Sequence, residues 1–214
     1  MDIQSVITFC LEMIGTVAFA ASGAMVGAGC SMDIFGVCVL GVVTAVGGGM
    51  IRDIVLGILP PTVFLDPKYA LAAVITSCLV FLAYYMKKMD PGQHNSQAFE
   101  RILLIMDSIG LGIFTVMGVN TGISRGYGDN AFLLVFVGTI TGVGGGLLRD
   151  MMAGVPPYIF VRHIYACASI VGTLVCVWMQ RFGAVWAMVV GSCVVVLIRY
   201  LAAHYRWNLP RLPR

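Results

Sequence analysis

Polar residues in this chain are confined to short islands between long apolar runs, which cover about residues 5–28, 33–58, 67–86, 101–123, 130–154, 163–180 and 183–203. Each run approaches the roughly 20 residues a helix needs to cross an apolar bilayer core. The pattern therefore predicts an all-α integral membrane protein with seven transmembrane helices. The first run begins Met1-Asp2-Ile3-Gln4, with no positive residue, and its glycines recur in the fourth run, so it reads as a span and not as a signal peptide. The only extended polar stretch, Lys87 to Glu100, reads as a linker.

The chain repeats itself across that linker. Gly15, Phe19, Gly23 and Gly27 align with Gly110, Phe114, Gly118 and Gly122, each 95 positions later. Gly41 and the run Thr44-Ala45-Val46-Gly47-Gly48-Gly49-Met50-Ile51-Arg52-Asp53 align with Gly138 and Thr141-Gly142-Val143-Gly144-Gly145-Gly146-Leu147-Leu148-Arg149-Asp150, 97 positions later. A two-residue insertion between Arg125 and Asn130 reconciles the offsets. Pro60-Pro61, Phe64, Tyr69 and Ala70 then align with Pro156-Pro157, Phe160, Tyr165 and Ala166, 96 positions later. The expected organisation is repeat one at 1–86, a cytoplasmic linker at 87–100, repeat two at 101–180, and a seventh helix with a basic tail at 181–214.

Composition agrees with the pattern: 59% hydrophobic and 11% charged residues, with a mean hydropathy of +0.94, leave too little polar surface for a soluble domain. Three spans per repeat is an odd number, so the second repeat enters the membrane from the side opposite the first, and the repeats are inverted. Lys87, Lys88, Arg101, Arg162, Arg206, Arg211 and Arg214 fall on one side, against Lys68, Arg125 and Arg181 on the other. The N-terminus is thus expected outside and the C-terminus in the cytoplasm. In transporters built from inverted repeats the working site lies near the midplane where the repeats meet.

The glycine triplets sit at that depth. Gly47 lies about 21 Å along a helix begun at residue 33, at 1.5 Å per residue. Adjacent glycines weaken a helix by about 1 kcal/mol each, so spans two and five are expected to be broken at Gly-Gly-Gly. Freed carbonyls at this depth must face protein or water. Together with the hydroxyls of Thr44 and Thr141, the carbonyls of Gly47, Gly48, Gly49, Gly144, Gly145 and Gly146 are the expected pore lining for a monovalent cation. The alternative is that the triplets let helices pack closely; straight, dry packing of spans two and five as rods wedged against their neighbours would remove not only this carbonyl-lined route but permeation as a whole.

Charges inside apolar runs are costly, and here they come in symmetric sets. Glu12 and Asp107 each precede an aligned glycine by three residues, Gly15 and Gly110. By the topology above, Glu12 and Arg52 share one side and Asp107 and Arg149 the other, which predicts two ion pairs, Glu12–Arg52 and Asp107–Arg149, as locks of helix register or as gates. Asp53 and Asp150 point about 100° from the arginines and are assigned to a neighbouring span, a subunit contact or a cation vestibule.

The remaining features suggest structural roles. Cys10, Cys38, Cys78, Cys167, Cys176 and Cys193 lie in apolar runs without paired or metal-type spacing and read as packing residues. His94, His163 and His204 do not compose a metal site, and none is expected beyond transient monovalent cations. Pro60-Pro61 and Pro156-Pro157 end their helices. Tyr84, Tyr85, Trp178, Trp186, Tyr200, Tyr205 and Trp207 are interfacial anchors. No nucleotide loop, zinc motif or activated nucleophile is present, so neither an enzyme nor a cofactor is expected. The tail from Arg206 to Arg214 reads as a topology signal touching anionic headgroups and not as a nucleic-acid arm.

The doubled Gly-Gly-Gly-x-x-Arg-Asp at 47–53 and 144–150, the Pro-Pro after each copy and the seven-span length resemble the prokaryotic trimeric intracellular cation (TRIC) channels. The resemblance covers nearly the whole chain. It implies a homotrimer in the plasma membrane of a prokaryote, with one pore per protomer lined by glycine-kinked spans two and five, conducting potassium and other monovalent cations such as sodium. It also implies phospholipid bound near the pores or the subunit contacts. Animal members have a Lys-containing motif after the second glycine run, where this chain has Leu147-Leu148-Arg149-Asp150. Some bacterial relatives have been suggested to move glycine or other small amino acids, so a secondary transporter remains the alternative to a channel, beside a scaffold whose charges only hold helices together.

Overall fold

The computed structural model describes residues 3–86, 97–161 and 164–207. Within them the order is α1 (Ile3–Gly29), α2 (Ile34–Val55), α3 (Thr62–Leu65), α4 (Lys68–Met86), α5 (Gln97–Gly122), α6 (Ala131–Met152), α7 (Tyr158–Val161), α8 (Ala166–Met179) and α9 (Ala184–His204). Most of the expected linker lies outside the described residues, as do Lys87, Lys88, His94, Arg162, His163, Arg211 and Arg214; its last four positions, Gln97 to Glu100, are the first turn of α5.

Among the described residues six helices are long and apolar enough to cross a membrane, namely α1, α2, α4, α5, α6 and α9. The sixth expected span is the shorter apolar helix Ala166–Phe182, whose last turn is a 3-10 turn. Large apolar side chains such as Phe35, Phe64, Leu65, Phe132, Phe160 and Trp186 are exposed on the outside of the bundle, as a lipid-facing surface requires.

The repeats reproduce each other down to their helix ends. Asp33 caps α2 by accepting from Gly36 N at 2.7 Å, and Asn130, its equivalent, caps α6 by accepting from Leu133 N at 3.0 Å. At the other ends Gly57 (φ +70°) and Gly154 (φ +67°) take left-handed conformations that let Ile58 N reach Asp53 O at 2.7 Å and Val155 N reach Asp150 O at 3.0 Å. The extra length between Arg125 and Asn130 is a π-helical turn at Ile123–Tyr127, where Gly126 is at φ 88°.

α1 packs on α2 and α4, α5 packs on α6 and α8, and the halves meet through α2 against α6 and α1 against α5; α9 covers α5 and α8. The glycine triplets lie in this central crossing. The expected breaks are absent: α2 and α6 run as continuous helices through Gly47–Gly49 and Gly144–Gly146. A methyl group at Gly48 would overlap the Thr141 carbonyl, one at Gly145 would overlap the Thr44 carbonyl, and one at Gly144 would sit 3.1 Å from Gly48 Cα. Unbroken helices keep their carbonyls bonded within the ladder, and missing side chains let two backbones touch. Close packing, the alternative to unwinding, is what the triplets provide at their first two positions.

Candidate functional site

The third glycine of each triplet is different, because it borders a charged cluster one turn further along. In repeat one, Arg52 donates from Nε to Asp53 Oδ1 at 2.8 Å, with Nη2 2.7 Å from the same oxygen. Asp53 Oδ2 in turn accepts from Thr62 N at 2.8 Å and Thr62 Oγ1 at 2.7 Å, which caps α3 as it starts behind Pro60-Pro61. Glu12 on α1 accepts from the Tyr69 hydroxyl on α4. The predicted Glu12–Arg52 ion pair is not made: the adjacent Asp53 takes the guanidinium, and Tyr69 takes Glu12.

Repeat two builds the same unit and adds to it. Arg149 Nε donates to Asp150 Oδ1 at 2.8 Å, and Asp150 Oδ2 accepts from Tyr158 N at 2.8 Å, capping α7. Arg149 Nη1 lies 2.6 Å from Asp107 Oδ1 with both side chains fully buried, which is the predicted Asp107–Arg149 pair, and it also donates to Ser22. The Tyr165 hydroxyl donates to Asp107 Oδ1 at 3.4 Å, matching Tyr69 on Glu12. Arg199 of α9 brings a second guanidinium, with Nη2 3.7 Å from Asp107 Oδ2.

Exposure separates the two clusters. A cavity of about 70 Å³, enough for two or more waters at about 30 Å³ each, is bordered by Glu12, Thr16, Gly49, Arg52, Asp53 and Tyr69, with Phe114 also in its wall. A wider cleft of about 360 Å³ at the start of α1 is bordered by Gln4, Ser5, Thr8, Phe9 and the same Glu12 and Tyr69. The Glu12–Tyr69 bond thus stands where the two spaces share a wall. Phe114 packs against its repeat partner Phe19, ring centroids 5.3 Å apart. In repeat two Asp107, Arg149, Asp150 and Tyr165 are all at most 2% exposed.

Of the expected lining residues, only Gly49 borders the cavity. Thr44 and Thr141 are buried and donate to the carbonyls of Leu40 at 2.6 Å and Val137 at 2.5 Å within their own helices. They pack against Gly23 and Gly118. Gly47 faces the Leu148 side chain, Gly48, Gly144 and Gly145 form the helix crossing, and Gly146 lies beneath the Tyr165 hydroxyl. Asp53 and Asp150, expected to serve a neighbouring span or a vestibule, cap the short helices after Pro-Pro, and Asp53 also borders the cavity. The residues that pattern reading passed over are Tyr69, Tyr165, Ser22 and Arg199. The tyrosines recur at the repeat offset, and an arginine in the apolar run Val194 to Ile198 is itself a signal.

The chain matches the family model described as glycine transporter twice, over residues 9–85 and 104–181, once per repeat. It is 36% identical over 207 residues to the inner membrane protein YadS of Escherichia coli, covering 95% of each chain. It is 37% identical over 209 residues to a membrane protein of Deinococcus radiodurans, covering 95% of this chain and 92% of the other. Among solved structures it resembles a TRIC trimeric intracellular cation channel orthologue from Rhodobacter sphaeroides, with a TM-score of 0.82 at 33% identity over 94% of this chain and 98% of that one. It also resembles a prokaryotic TRIC channel solved in 0.5 M KCl, with a TM-score of 0.85 at 32% identity over 96% and 100%.

Proposed function

The chain belongs to the glycine transporter family, the family of the prokaryotic TRIC channels, and on that footing we propose that it is a cation channel of the plasma membrane with one permeation route per protomer. The observation that carries the reading is the cavity at Glu12, Arg52, Asp53 and Gly49, whose three charged residues sum to one formal negative charge beside space for water. A negative cleft with low-dielectric walls concentrates cations. The route enters by the cleft at Gln4 and Phe9, passes Glu12 and Tyr69, reaches Gly49, crosses the Phe19–Phe114 contact and leaves past Gly146, Asp107 and Arg149. Because α2 and α6 are unbroken, the route does not run through opened carbonyls and the expected loosening of the backbone gives it no support; what supports it is the space for water along α2 at Ala45, Val46, Gly49 and Met50, which keeps that span from being dry.

The permeant ions are monovalent, potassium and sodium, because one net carboxylate without a cage of oxygens favours weak, rapid binding. The protomers assemble as a homotrimer, as the TRIC relatives do by name, with phospholipid filling the grooves between them. Three spans in each repeat invert the second repeat relative to the first, with the N-terminus outside and the C-terminus in the cytoplasm.

A second reading, a carrier for glycine or another small amino acid, is favoured by one feature: Arg52 and Glu12 border the same small cavity and offer opposite charges to a zwitterion. Purified protein in planar bilayers separates the two. A channel gives discrete unitary currents in potassium salts, and a carrier gives none but supports saturable glycine uptake into vesicles.

A further inference from the structure

The two repeats place the same residue types around their arginines, yet Asp107, Arg149 and Tyr165 are at most 2% exposed while Glu12 and Tyr69 are half-buried beside a cavity, and the two tyrosines sit differently over their glycines. In repeat one the Tyr69 hydroxyl is held by Glu12, and a methyl group at Gly49 would find nothing nearer than Arg52 Nη2 at 3.8 Å. In repeat two the Tyr165 hydroxyl covers Gly146: it lies 2.7 Å from where a methyl carbon would sit, and Asp107 Oδ1 lies 3.6 Å from that point. What backs Tyr165 comes from outside the duplication. The guanidinium of Arg199 on α9 is stacked 4.7 Å from the centre of the Tyr165 ring, and Arg199 is fully buried.

This packing does not satisfy its own polar atoms. Among the described residues Arg199 Nε and Nη1, Arg149 Nη2 and Asp107 Oδ2 are buried without a hydrogen-bond partner in the protein, the last meeting only Arg199 Nη2 across 3.7 Å. Buried charged groups left unbonded are costly, so an arrangement of this kind yields when water gains access to it. Tyr69 in repeat one shows the other place such a ring can take, with its hydroxyl away from the glycine.

We propose that Tyr165 is the gate of the repeat-two end and that Arg199 is the positioning residue that holds it over Gly146, so that the seventh span, α9, sets the closed state. The inference rests on the channel reading and deepens it. Swinging Tyr165 off Gly146 uncovers the Arg149–Asp107 pair to a cleft like the one beside Arg52, and the route is then hydrated at both ends.

The test uses the full-length protein in planar bilayers and vesicles. Arg199→Met and Tyr165→Ala raise the fraction of time open by roughly tenfold, equivalent to about 1.4 kcal/mol in the closed–open equilibrium, at unchanged unitary conductance. Tyr165→Phe, which keeps the ring under the guanidinium, stays nearer the parent than Tyr165→Ala does. A merely structural Arg199 would lower the yield of assembled protein and leave the open fraction alone. A second readout does not depend on conduction: with the seven native cysteines replaced, Ser22→Cys is protected from membrane-impermeant thiol reagents added to either face while Arg199 is present, and reacts about tenfold faster with Arg199→Met or Tyr165→Ala. If parent and variants conduct alike and Ser22→Cys labels at one rate in all of them, the gate is wrong while the channel stands. If nothing conducts but labelling still rises on removal of Arg199, the closure is right and the channel reading fails.

Discussion

Replacing Gly48 with Ala puts one methyl group into the α2–α6 crossing, where it overlaps the Thr141 carbonyl oxygen and comes within 3.3 Å of Gly145 N. Both obstacles are backbone, so no rotamer change relieves them and the two helices must move apart. Overpacking of this sort costs about 1–3 kcal/mol and the gain in helix propensity from Gly to Ala returns about 1 kcal/mol, so the net loss is about 0–2 kcal/mol, toward the upper end here because the methyl would overlap a backbone oxygen. One residue on, the same change at Gly49 meets only Arg52 Nη2 at 3.8 Å, and the propensity term stands almost alone, giving a gain of up to about 1 kcal/mol. The assay is thermal melting of the purified proteins in one detergent, followed by intrinsic fluorescence, where about 2–4 °C per kcal/mol is expected for a chain of this size. Gly48→Ala melts below the parent and Gly49→Ala at or above it. A Gly48→Ala protein as stable as the parent, or two variants that fall equally, would refute the crossing as the reason for the triplets.

Other consequences are as direct. Arg149→Met leaves Asp107 with only the long contacts of Arg199 and Tyr165 and Asp150 with only Tyr158 N, in a fully buried site, and costs about 3–5 kcal/mol by the same melting assay, whereas Arg52→Met costs less because its cluster borders the cavity, where water can take the place of the guanidinium; equal losses would contradict the asymmetry. Glu12→Gln lowers unitary potassium conductance at about 0.1 M salt and has little effect at about 1 M, where screening shortens from about 10 Å to 3 Å; a reduction independent of salt would remove Glu12 as an electrostatic attractor. Cys38 on α2 and Cys78 on α4 have sulfurs 3.5 Å apart, so a membrane-permeant oxidant crosslinks them within one chain, seen by mass spectrometry and abolished by Cys38→Ser; failure to crosslink would put the α2–α4 contact in error.

The architecture was legible because a bilayer writes itself into sequence: apolar runs, a polar linker and glycines recurring at fixed offsets placed the helices to within a few residues, and Asp107 found Arg149 across 42 positions. What pattern could not supply was the competition among partners. In the sequence Arg52 has a distant carboxylate and an adjacent one to choose from, and in the fold the adjacent Asp53, whose other oxygen is held by Thr62 behind Pro60-Pro61, takes the guanidinium. The glycine triplets looked like breaks because propensity scales describe a helix facing solvent; pressed against a second helix, the same residues permit contact and the helix stays whole. Cys38 and Cys78 carry no spacing signal because their meeting depends on how α4 lies on α2. Arg199 stands outside the repeat, so the symmetry that pointed to Glu12 with Asp107, Arg52 with Arg149 and Asp53 with Asp150 was silent about it.

The central claim is that cations cross this protein passively, drawn by the carboxylates beside Gly49. Its most direct test is the reversal potential of purified protein in a planar bilayer under a gradient of KCl. Unitary currents that reverse close to the potassium equilibrium potential, and that move toward zero reversal with Glu12→Gln and Asp53→Asn, are the predicted result. Currents that reverse near the chloride potential, or a silent bilayer from protein that still takes up glycine in vesicles, would contradict it.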